Sequence, residues 1–358
     1  VTVSGNNALN FDGTNDRLAL PALGVVGAGS GLYTVEGWIR VSSYNGTSPG
    51  ALIFGDERNG NSGILIGMDP TGHIWTYHPS VGIVPNSTVI PLNTWTHIAL
   101  VQNSTNVKLF TNGSFVQNML TAPNLHVETG EVTYLGAFTS DHSSFSRFFN
   151  GSIDEFRVWN RALCGSEILN NMAGRLPAGA TGLRAYYTFD QGIAAGSNTG
   201  VTTAIDNSGG GRNGTLVNYT LSGSTSNWVT GTVNATAATF TAPTITPSSN
   251  VTICNGSSTT LTVSGGTAYQ WTPSTGLSVT TGSSVTASPS STITYTVTDE
   301  CGGTATVQVS VNPTPTTSGG SSIGICIGSS TSLTASGAAT YTWAPSATCA
   351  SGKDSIST

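Results

Sequence analysis

The chain alternates between hydrophobic and polar residues over short stretches that turn residues separate. Dipeptides such as Asn45-Gly46 and Asn112-Gly113 mark tight turns between them. Successive side chains of a strand point to opposite faces, so this alternation is typical of strands with one buried face. We therefore predict an antiparallel β-sandwich of two sheets packed face to face. The alternating stretches are 33–41, 51–55, 64–68, 73–77, 96–101, 107–111, 131–137 and 153–159.

Residues 176–240 are harder to place, because only one clear alternating stretch, Leu183–Phe189, occurs in them. Two interpretations stay open. The stretch either adds a strand to the preceding sandwich, 1–175, or begins a second, degenerate copy of it. We favour the first interpretation because too few strands follow to build another core. The later phrase 221–228 is then expected to pack onto the same sandwich.

Beyond a linker rich in Thr, Ala and Pro, the chain repeats itself with a period of 72 residues. The phrases that begin at Cys254 and Cys326 match almost letter for letter, and a tryptophan, Trp271 or Trp343, follows each cysteine by 17 residues. Strict alternation of polar and apolar residues in this part predicts further β-sandwiches. Their predicted boundaries are 241–313 for the first repeat and 314–358 for a second, truncated repeat.

Composition narrows the classes of function. Charged residues make up only 8% of the chain, and 11 Lys and Arg against 17 Asp and Glu give a net charge of −6. Such a chain lacks the excess of positive charge that binding to nucleic acid requires. No run of 18 apolar residues occurs, so we expect no insertion into a membrane. Few lysines and many Gly, Ser, Thr and Asn residues suit an extracellular or cell-surface protein.

Five phrases stand out in the first sandwich, and they are Ala8–Asp16, Tyr33–Val41, Asn93–Val101, Val107–Gly113 and Asn150–Leu163. Together they resemble a laminin-G-like domain of the concanavalin A-like lectin/glucanase superfamily. The resemblance implies a jelly-roll fold and a recognition module. The 72-residue repeats are similar to bacterial immunoglobulin-like repeats, as in large surface adhesins exported by the type IX route. The expected fold class is therefore all-β, an antiparallel jelly-roll β-sandwich head followed by immunoglobulin-like β-sandwich repeats.

The laminin-G-like resemblance also implies one calcium ion at the rim of the sandwich, bound by carboxylates and backbone carbonyls. Hard oxygen ligands from separate loops suit Ca²⁺. The matching positions in this sequence are Asp12, Asp16 and Asp154. The alternative is that Asp12 and Asp154 only accept hydrogen bonds from amides of nearby turns.

A sugar site in a lectin uses aromatic faces for the apolar side of the sugar and polar side chains for its hydroxyls. The stretch 73–78 places His73, Trp75 and Tyr77 on one face of a strand. An exposed aromatic stripe of this kind is a recognition surface. The alternative is that Trp75 and Tyr77 face the core. The predicted ligand-binding residues are His73, Trp75 and Tyr77, with Asp141, His142 and Arg147 from the following loop region.

Four of the five cysteines come after residue 250, which suggests an oxidising compartment. The immunoglobulin-like resemblance implies a disulfide between the two sheets, joining Cys254 to Cys301. Cys164 is then left over, and we interpret it as a small buried hydrophobe. A pairing of Cys326 with Cys349 stays open.

No catalytic signature is present. The superfamily's glycosidases carry a Glu-x-Asp-x-x-Glu strand with two catalytic carboxylates, and this chain has none. Nucleophile, zinc and phosphate-loop motifs are also missing. We predict a non-catalytic extracellular adhesin that binds a glycan or a surface polymer, with copies of itself or other surface proteins as further partners. The alternatives are a structural subunit of a filament or sheath and a carbohydrate-binding accessory region of a secreted enzyme.

Overall fold

The computed structural model falls into two compact units. The first contains Val1–Thr244, Gly265–Thr267 and Asp299–Gly303, and the second contains Ile245–Ser264, Ala268–Thr298 and Thr304–Thr358. The described residues contain no helix long and apolar enough to cross a bilayer. The structure describes residues 6–23, 32–55, 65–78, 81–103, 106–121, 132–139, 143–232, 245–265, 268–299, 301–314, 316–321, 323–326 and 328–343.

The first unit is built almost entirely from strands. In chain order its elements are β1 (Asn7–Asp12), β2 (Arg17–Leu20), β3 (Tyr33–Val41), β4 (Ala51–Gly55), β5 (Leu65–Met68), β6 (His73–His78), β7 (Gly82–Val89), β8 (Trp95–Gln102), β9 (Asn106–Thr111), β10 (Ser114–Thr121), β11 (Thr133–Leu135), β12 (Asn150–Trp159), α1 (Gly165–Asn171), β13 (Leu183–Tyr187), β14 (Thr203–Ala204), β15 (Gly214–Val217) and β16 (Trp228–Thr230).

These strands form two eight-stranded antiparallel sheets. Sheet A has the order β10-β9-β8-β3-β12-β1-β16, and β13 also pairs with β12. Sheet B has the order β14-β15-β2-β11-β4-β5-β6-β7. The inward-facing residues of both sheets, among them Phe11, Leu18 and Ile153, meet in one hydrophobic core. The prediction of an all-β jelly-roll sandwich is confirmed.

The segment after residue 176 completes this sandwich. Residues 183–187 are β13, and they pair with β12, as the first of the two interpretations has it. β16 pairs with β1 in the register Leu9 with Trp228, and the Trp228 side chain is fully buried in the core. The side-chain amide of Asn227 donates to the backbone carbonyls of Gly196 and Gly223 at 2.9 and 2.8 Å. Hydrogen bonds therefore hold the last strand in place alongside its packing.

A smaller apolar cluster lies on the outer face of sheet A. Trp159, Tyr186 and Phe110 come from three strands of the sheet, and Ile168 of α1 packs on them. Helix α1 is short, so its stability comes from this packing and not from its own propensity. The outer face of sheet A is therefore covered at this end.

The second unit is a sandwich of seven strands. One sheet has the order β17-β19-β21 and the other β18-β23-β22-β20, with β18 parallel to β23. The core contains Trp271, whose indole N–H donates to the carbonyl of Gly282 at 3.0 Å. Its strands are β17 (Thr246–Pro247), β18 (Val251–Cys254), β19 (Thr259–Ser264), β20 (Tyr269–Thr272), β21 (Ser284–Ala287), β22 (Ile293–Asp299) and β23 (Thr304–Asn312), and a two-stranded pair, β24 (Ser318–Gly319) and β25 (Ala335–Ser336), follows.

The predicted disulfide between Cys254 and Cys301 is wrong, and the register of β18 with β23 explains why. Cys254 lies beside Asn312, whereas Cys301 precedes Thr304 at the other end of β23. Eight residues of strand separate these ends by about 26 Å, far beyond the roughly 7 Å that a disulfide tolerates between Cα atoms.

Cys301 is instead bonded to Cys164, and both residues belong to the first unit. Their Cα atoms are 5.3 Å apart. The interpretation of Cys164 as an unpaired buried hydrophobe is therefore also wrong, although the residue is buried. Cys254 and Cys326 are exposed free thiols. Cys349, whose pairing with Cys326 was left open, lies outside the described residues.

Candidate functional site

The outer face of sheet B, opposite the core, carries the described part of the predicted ligand site. His73, Trp75 and Tyr77 alternate along β6 with Ile74 and Thr76, which point inward. Strand alternation thus places the three predicted residues on one face. Asp141 and His142 lie outside the described residues.

Trp75 is fully buried although it lies on the outer face. Its ring packs with Leu52 and Leu65, and Phe138 packs against the same cluster. The ring also covers Gly67 on the neighbouring strand, where a Cβ atom would come within 2.0 Å of it. Trp75 therefore belongs neither to an exposed stripe nor to the main core. It forms a small separate apolar cluster with Leu52 and Leu65 on the outer face of sheet B.

The two ends of the β6 row are more accessible. His73 keeps 27% of its side chain exposed, and its Nδ1 lies 2.9 Å from the Thr71 hydroxyl and 3.3 Å from the Asp69 carboxylate. Tyr77 is half-buried and packs at the edge of the Trp75 cluster. Both side chains can present a polar group to a ligand.

Arg147 lies on the same face as the β6 row. Its carbonyl accepts a hydrogen bond from the amide of Leu52 at 2.8 Å, which fixes the loop beside β4. Its guanidinium lies over the ring of Phe138, 4.5 Å from the centroid. The structure therefore brings Arg147 to the same cluster as Trp75.

A second arginine–aromatic stack lies nearby and was not predicted from the sequence. The guanidinium of Arg17 lies over Phe145 at 3.8 Å from the ring centroid, and Tyr134 meets the same ring edge-on at 5.0 Å. Arg17 precedes the core residue Leu18 in β2, so the alternation of that strand could have placed it on the outer face. Its stacking on Phe145 depends on the position of the loop that contains Phe145, and no local sequence pattern predicts that position.

The three predicted calcium ligands are not brought together. Asp12 pairs with Asn150, and Asp154 lies four residues further along β12, about 13 Å away along the strand. Asp12 accepts the amides of Thr14 and Asn15 at 2.7 and 3.3 Å. Asp154 likewise accepts backbone amides, those of Glu155 and Thr232 at 2.8 and 2.9 Å. These contacts agree with the alternative role as amide acceptors.

Asp16 remains close to Asp12, but the pair does not fit a calcium site on its own. Asp16 accepts the Asp12 amide at 2.9 Å and the Ser226 hydroxyl at 2.8 Å, so both its oxygens are engaged. Calcium takes six to eight oxygen ligands. Calcium binding stays a prediction that these residues do not by themselves support. Burial raises the pKa of Asp16 to about 6.

We expect the stabilising effect of Asp16 to weaken as the pH rises. Its pKa is about 6 in the folded chain against 3.8 without burial, so the folded state holds the proton more tightly. The free energy of unfolding should therefore fall by about 2 kcal/mol between pH 4 and pH 7 from this group alone. Asp16→Asn lacks this titration.

Urea unfolding of both proteins at pH 4, 5, 6 and 7, with chelator present, measures the effect. Because the other groups titrate alike in both chains, the difference in stability between wild type and Asp16→Asn isolates Asp16. The free energy of unfolding of the wild type minus that of Asp16→Asn should decrease as the pH rises. A difference that stays constant over this range contradicts the raised pKa.

A cluster of buried charges lies under α1 on the outer face of sheet A. Arg157 forms an ion pair with Glu155 at 2.6 Å and lies 3.8 Å from Glu36, whose carboxylate accepts the Trp159 indole N–H at 3.0 Å. Burial raises the pKa of Glu36 to about 7, partly offset by Arg157, and burial lowers the pKa of His97 beside it to about 3. The group is buried, so it is typical of a structural network and not of residues that contact a substrate.

Arg157 also binds the last residue of α1 and the turn that follows it. Its guanidinium donates to the carbonyls of Asn171 and Gly174, both at 2.7 Å. A cation at the end of a helix is favourable because the last carbonyls carry partial negative charge. No local pattern in the sequence predicts that Glu36, Glu155 and Arg157 meet.

One further group of potential metal ligands occurs among the described residues. Cys164, Glu167 and Cys301 place one ligand atom each within 4.8 Å of one another. The two sulfurs are bonded to each other, so neither is a thiolate that could bind a metal.

Comparison with known proteins gives one family match and several structural matches of low similarity. Residues 12–169 match the Laminin_G_3 family, described as the concanavalin A-like lectin/glucanases superfamily. A comparison with curated proteins finds no match. One similar structure is a putative carbohydrate binding protein from Bacteroides ovatus, at 20% identity over 60% of this chain, with a TM-score of 0.45. This chain spans 58% of the length of that protein.

Two other structures match at lower scores. A heptameric SAP-like pentraxin from Limulus polyphemus matches at 17% identity over 48% of this chain and 85% of its own, with a TM-score of 0.38. The CBM40 of a Ruminococcus gnavus sialidase, bound to α2,3-sialyllactose, matches at 13% identity over 45% of this chain and 94% of its own, with a TM-score of 0.36. Together with the two-sheet jelly roll, the family match identifies residues 12–169 as a laminin-G-like domain of the concanavalin A-like lectin/glucanase superfamily.

Proposed function

We propose that the first unit is a non-catalytic module that binds a glycan on the outer face of sheet B. The observation that carries the proposal is the pair of arginine–aromatic stacks, Arg17 on Phe145 and Arg147 on Phe138, on one sheet face. The family match supports it, because the superfamily is described by its lectins and glucanases.

The chemistry of this face suits a sugar. Aromatic rings offer apolar surface to the C–H side of a sugar ring, while guanidinium groups donate several hydrogen bonds in a fixed plane. An arginine that already stacks on a ring is held in one orientation, so less side-chain entropy is lost when a hydroxyl binds it. Phe138 packs against the buried cluster of Trp75, Leu52 and Leu65 on the same face.

We further propose that the module acts as an extracellular adhesin, with the repeats after residue 245 as immunoglobulin-like stalk domains. The 72-residue repeat and the seven-stranded sandwich support this role. The partner would be a glycan or another extracellular polymer. A structural filament subunit is the competing function.

A glycan array with the full chain tests the proposal, in buffers with calcium and with chelator. We expect binding that Arg17→Ala and Phe145→Ala each weaken by about 10-fold or more, because each removes one partner of a stack. Arg40→Ala is the matched control, since Arg40 is exposed on sheet A, away from this face. Thermal melts verify that the variants are folded.

Two outcomes oppose the proposal. If folded Arg17→Ala and Phe145→Ala bind every glycan as the wild type does, the outer face of sheet B is not the site. If no glycan binds and sedimentation shows the chain assembling, the structural alternative is favoured.

A further inference from the structure

The two cysteines of the first repeat, 241–313, lie at opposite ends of its sandwich. Cys301 is in the turn between β22 and β23, where the Asp299 carboxylate accepts the amides of Cys301 and Gly303 at 3.0 and 2.6 Å. This turn cysteine is bonded to Cys164, which belongs to the laminin-G-like domain. The first repeat is therefore bonded through its turn to the domain that precedes it in the chain.

Cys254 lies where the chain leaves the first repeat. The backbone amide of Asn255 donates to the carbonyl of Asn312, the last residue of β23, at 3.0 Å. β18 and β23 are parallel, and both run towards this end and away from the turn that contains Cys301. Cys254 is an exposed free thiol, so it is accessible to a partner in the repeat that follows.

The second repeat begins to fold in the register of the first. β24 and β25 pair Ser318 with Ser336, and 72 residues earlier β17 and β19 pair Thr246 with Ser264 in the same way. The first strand pair of the two repeats is therefore equivalent, which indicates that the second repeat adopts the same sandwich.

Apolar residues further along the second repeat are exposed, although their counterparts form the core of the first repeat. Leu333 is 54% exposed and Trp343 is 37% exposed, whereas Leu261 and Trp271, 72 residues earlier, are fully buried. In the first repeat, valines of β22 and β23 share the core with Trp271. Among the residues that the structure describes after Asn312, only β24 and β25 are strands. The exposed residues, which we call the acceptor row, are Ile325, Leu333, Tyr341 and Trp343.

We propose that Cys254 forms a disulfide with the turn cysteine of the following repeat, which packs a β-hairpin like β22–β23 on the acceptor row. Exposed apolar rows of this kind mark an interaction surface, and a hairpin with the alternation of β22 and β23 matches this one. Because β18 and β23 run away from the turn, a repeat of this fold holds its turn at the end where its chain enters. The turn of the following repeat then lies beside Cys254. The proposal does not depend on the glycan face.

The bond forms by thiol–disulfide exchange with a small external disulfide such as oxidised glutathione. One protein thiolate attacks this disulfide and releases one molecule of reduced glutathione, and the second protein thiolate then displaces the other. The two protein thiols lose two electrons, which reduce the external disulfide to two thiols, and their two protons pass to the released glutathione. Oxidising compartments outside the cytosol maintain such bonds.

Extending the full chain after Thr358 by a copy of residues 288–313 tests the proposal, because the copy supplies this hairpin and its turn cysteine. The protein is oxidised with a glutathione mixture, digested without reduction and mapped by mass spectrometry. We expect a peptide that joins Cys254 to the cysteine of the copy, while Cys164 stays bonded to Cys301. Alkylation of Cys254 by iodoacetamide should slow at least about 10-fold on extension, since a bonded sulfur is not a nucleophile.

Cys326 is the matched control, because it is an exposed free thiol in a nearly identical sequence. Its alkylation should stay as in the unextended chain, since Cys254 remains exposed in a complete repeat. Hydrogen exchange in residues 318–343 should slow at least about 10-fold when the hairpin covers the acceptor row. Val307→Asp with Val309→Asp in the copy should abolish both the protection and the bond, because buried charges are unfavourable. Cys254→Ser should keep the protection and lose the bond.

Four results would overturn the proposal. A bond from the cysteine of the copy to Cys326 would mean that the disulfide forms within one repeat. Cys254 that is alkylated at its original rate, while residues 318–343 are protected, would mean that the turn does not reach it. Residues 318–343 that gain no protection would mean that the acceptor row does not bind the hairpin. A bond that forms only between two chains, seen as a dimer on a non-reducing gel, would exclude a link between successive repeats.

Discussion

Replacing Arg157 by methionine should lower the free energy of unfolding of the first unit by about 3–5 kcal/mol. Methionine fills much of the space but leaves the Glu155 carboxylate buried without its cation. The carbonyls of Asn171 and Gly174 also lose their donor. Buried groups that lose a partner cost more than the net worth of the contact, because water cannot replace it.

Hydrogen exchange of the full chain in urea, read peptide by peptide, measures this effect in the first unit alone. Peptides covering α1 and residues 172–176 should lose protection first. Arg40→Met is the matched control and should change stability by no more than about 0.5 kcal/mol, since Arg40 is exposed. Adding Glu155→Gln to Arg157→Met should restore part of the loss. A decrease of less than about 1 kcal/mol in the free energy of unfolding would mean that water reaches the Arg157–Glu155 ion pair in the folded protein.

Trp228→Ala is expected to cost about 3–5 kcal/mol in the free energy of unfolding of the first unit. Trp228 has no exposed surface, and its ring lies so close to Gly192 that a Cβ there would come within 2.2 Å of it. Truncation leaves a cavity that this rigid neighbourhood fills only partly. β16 then loses the side chain that holds it against β1.

The same hydrogen-exchange experiment resolves this variant. Protection should fall in β1 and in residues 183–232, and the second unit should be unaffected. Trp343→Ala is the matched control, because Trp343 is 37% exposed and lies outside the first unit. If Trp228→Ala unfolds at the same urea concentration as the wild type, the last strand contributes little to the sandwich.

The sequence predicted the sheets well because alternation is a local property. It placed His73, Trp75 and Tyr77 on one face, since strand geometry alone decides that. It could not show whether solvent or another segment covers that face. Trp75 is covered by Leu52, Leu65 and a distant loop, and nothing in residues 73–78 encodes that contact.

The misplaced residues depend on register between strands far apart in the chain. The Cys254–Cys301 pairing came from the resemblance to immunoglobulin-like repeats, but β18 runs parallel to β23 and places the two cysteines at opposite ends of it. The calcium triad came from the laminin-G-like resemblance, and two of its members, Asp12 and Asp154, lie on the adjacent strands β1 and β12. A displacement of four residues between them separates Asp154 from Asp12. Sequence spacing does not specify such offsets.

The pairing of β16 with β1 has a consequence for mechanical load. Asn7 and Thr230 lie side by side, so a pull between these two points would peel the strands apart one hydrogen bond at a time, the weakest geometry for a sheet. The Cys164–Cys301 bond changes the path of the force. It closes a loop with a sequence separation of 137 that contains β16. A force applied between β1 and the chain beyond Cys301 is therefore transmitted through the sulfur–sulfur bond. While that bond is intact, the covalent path of the force does not include β16.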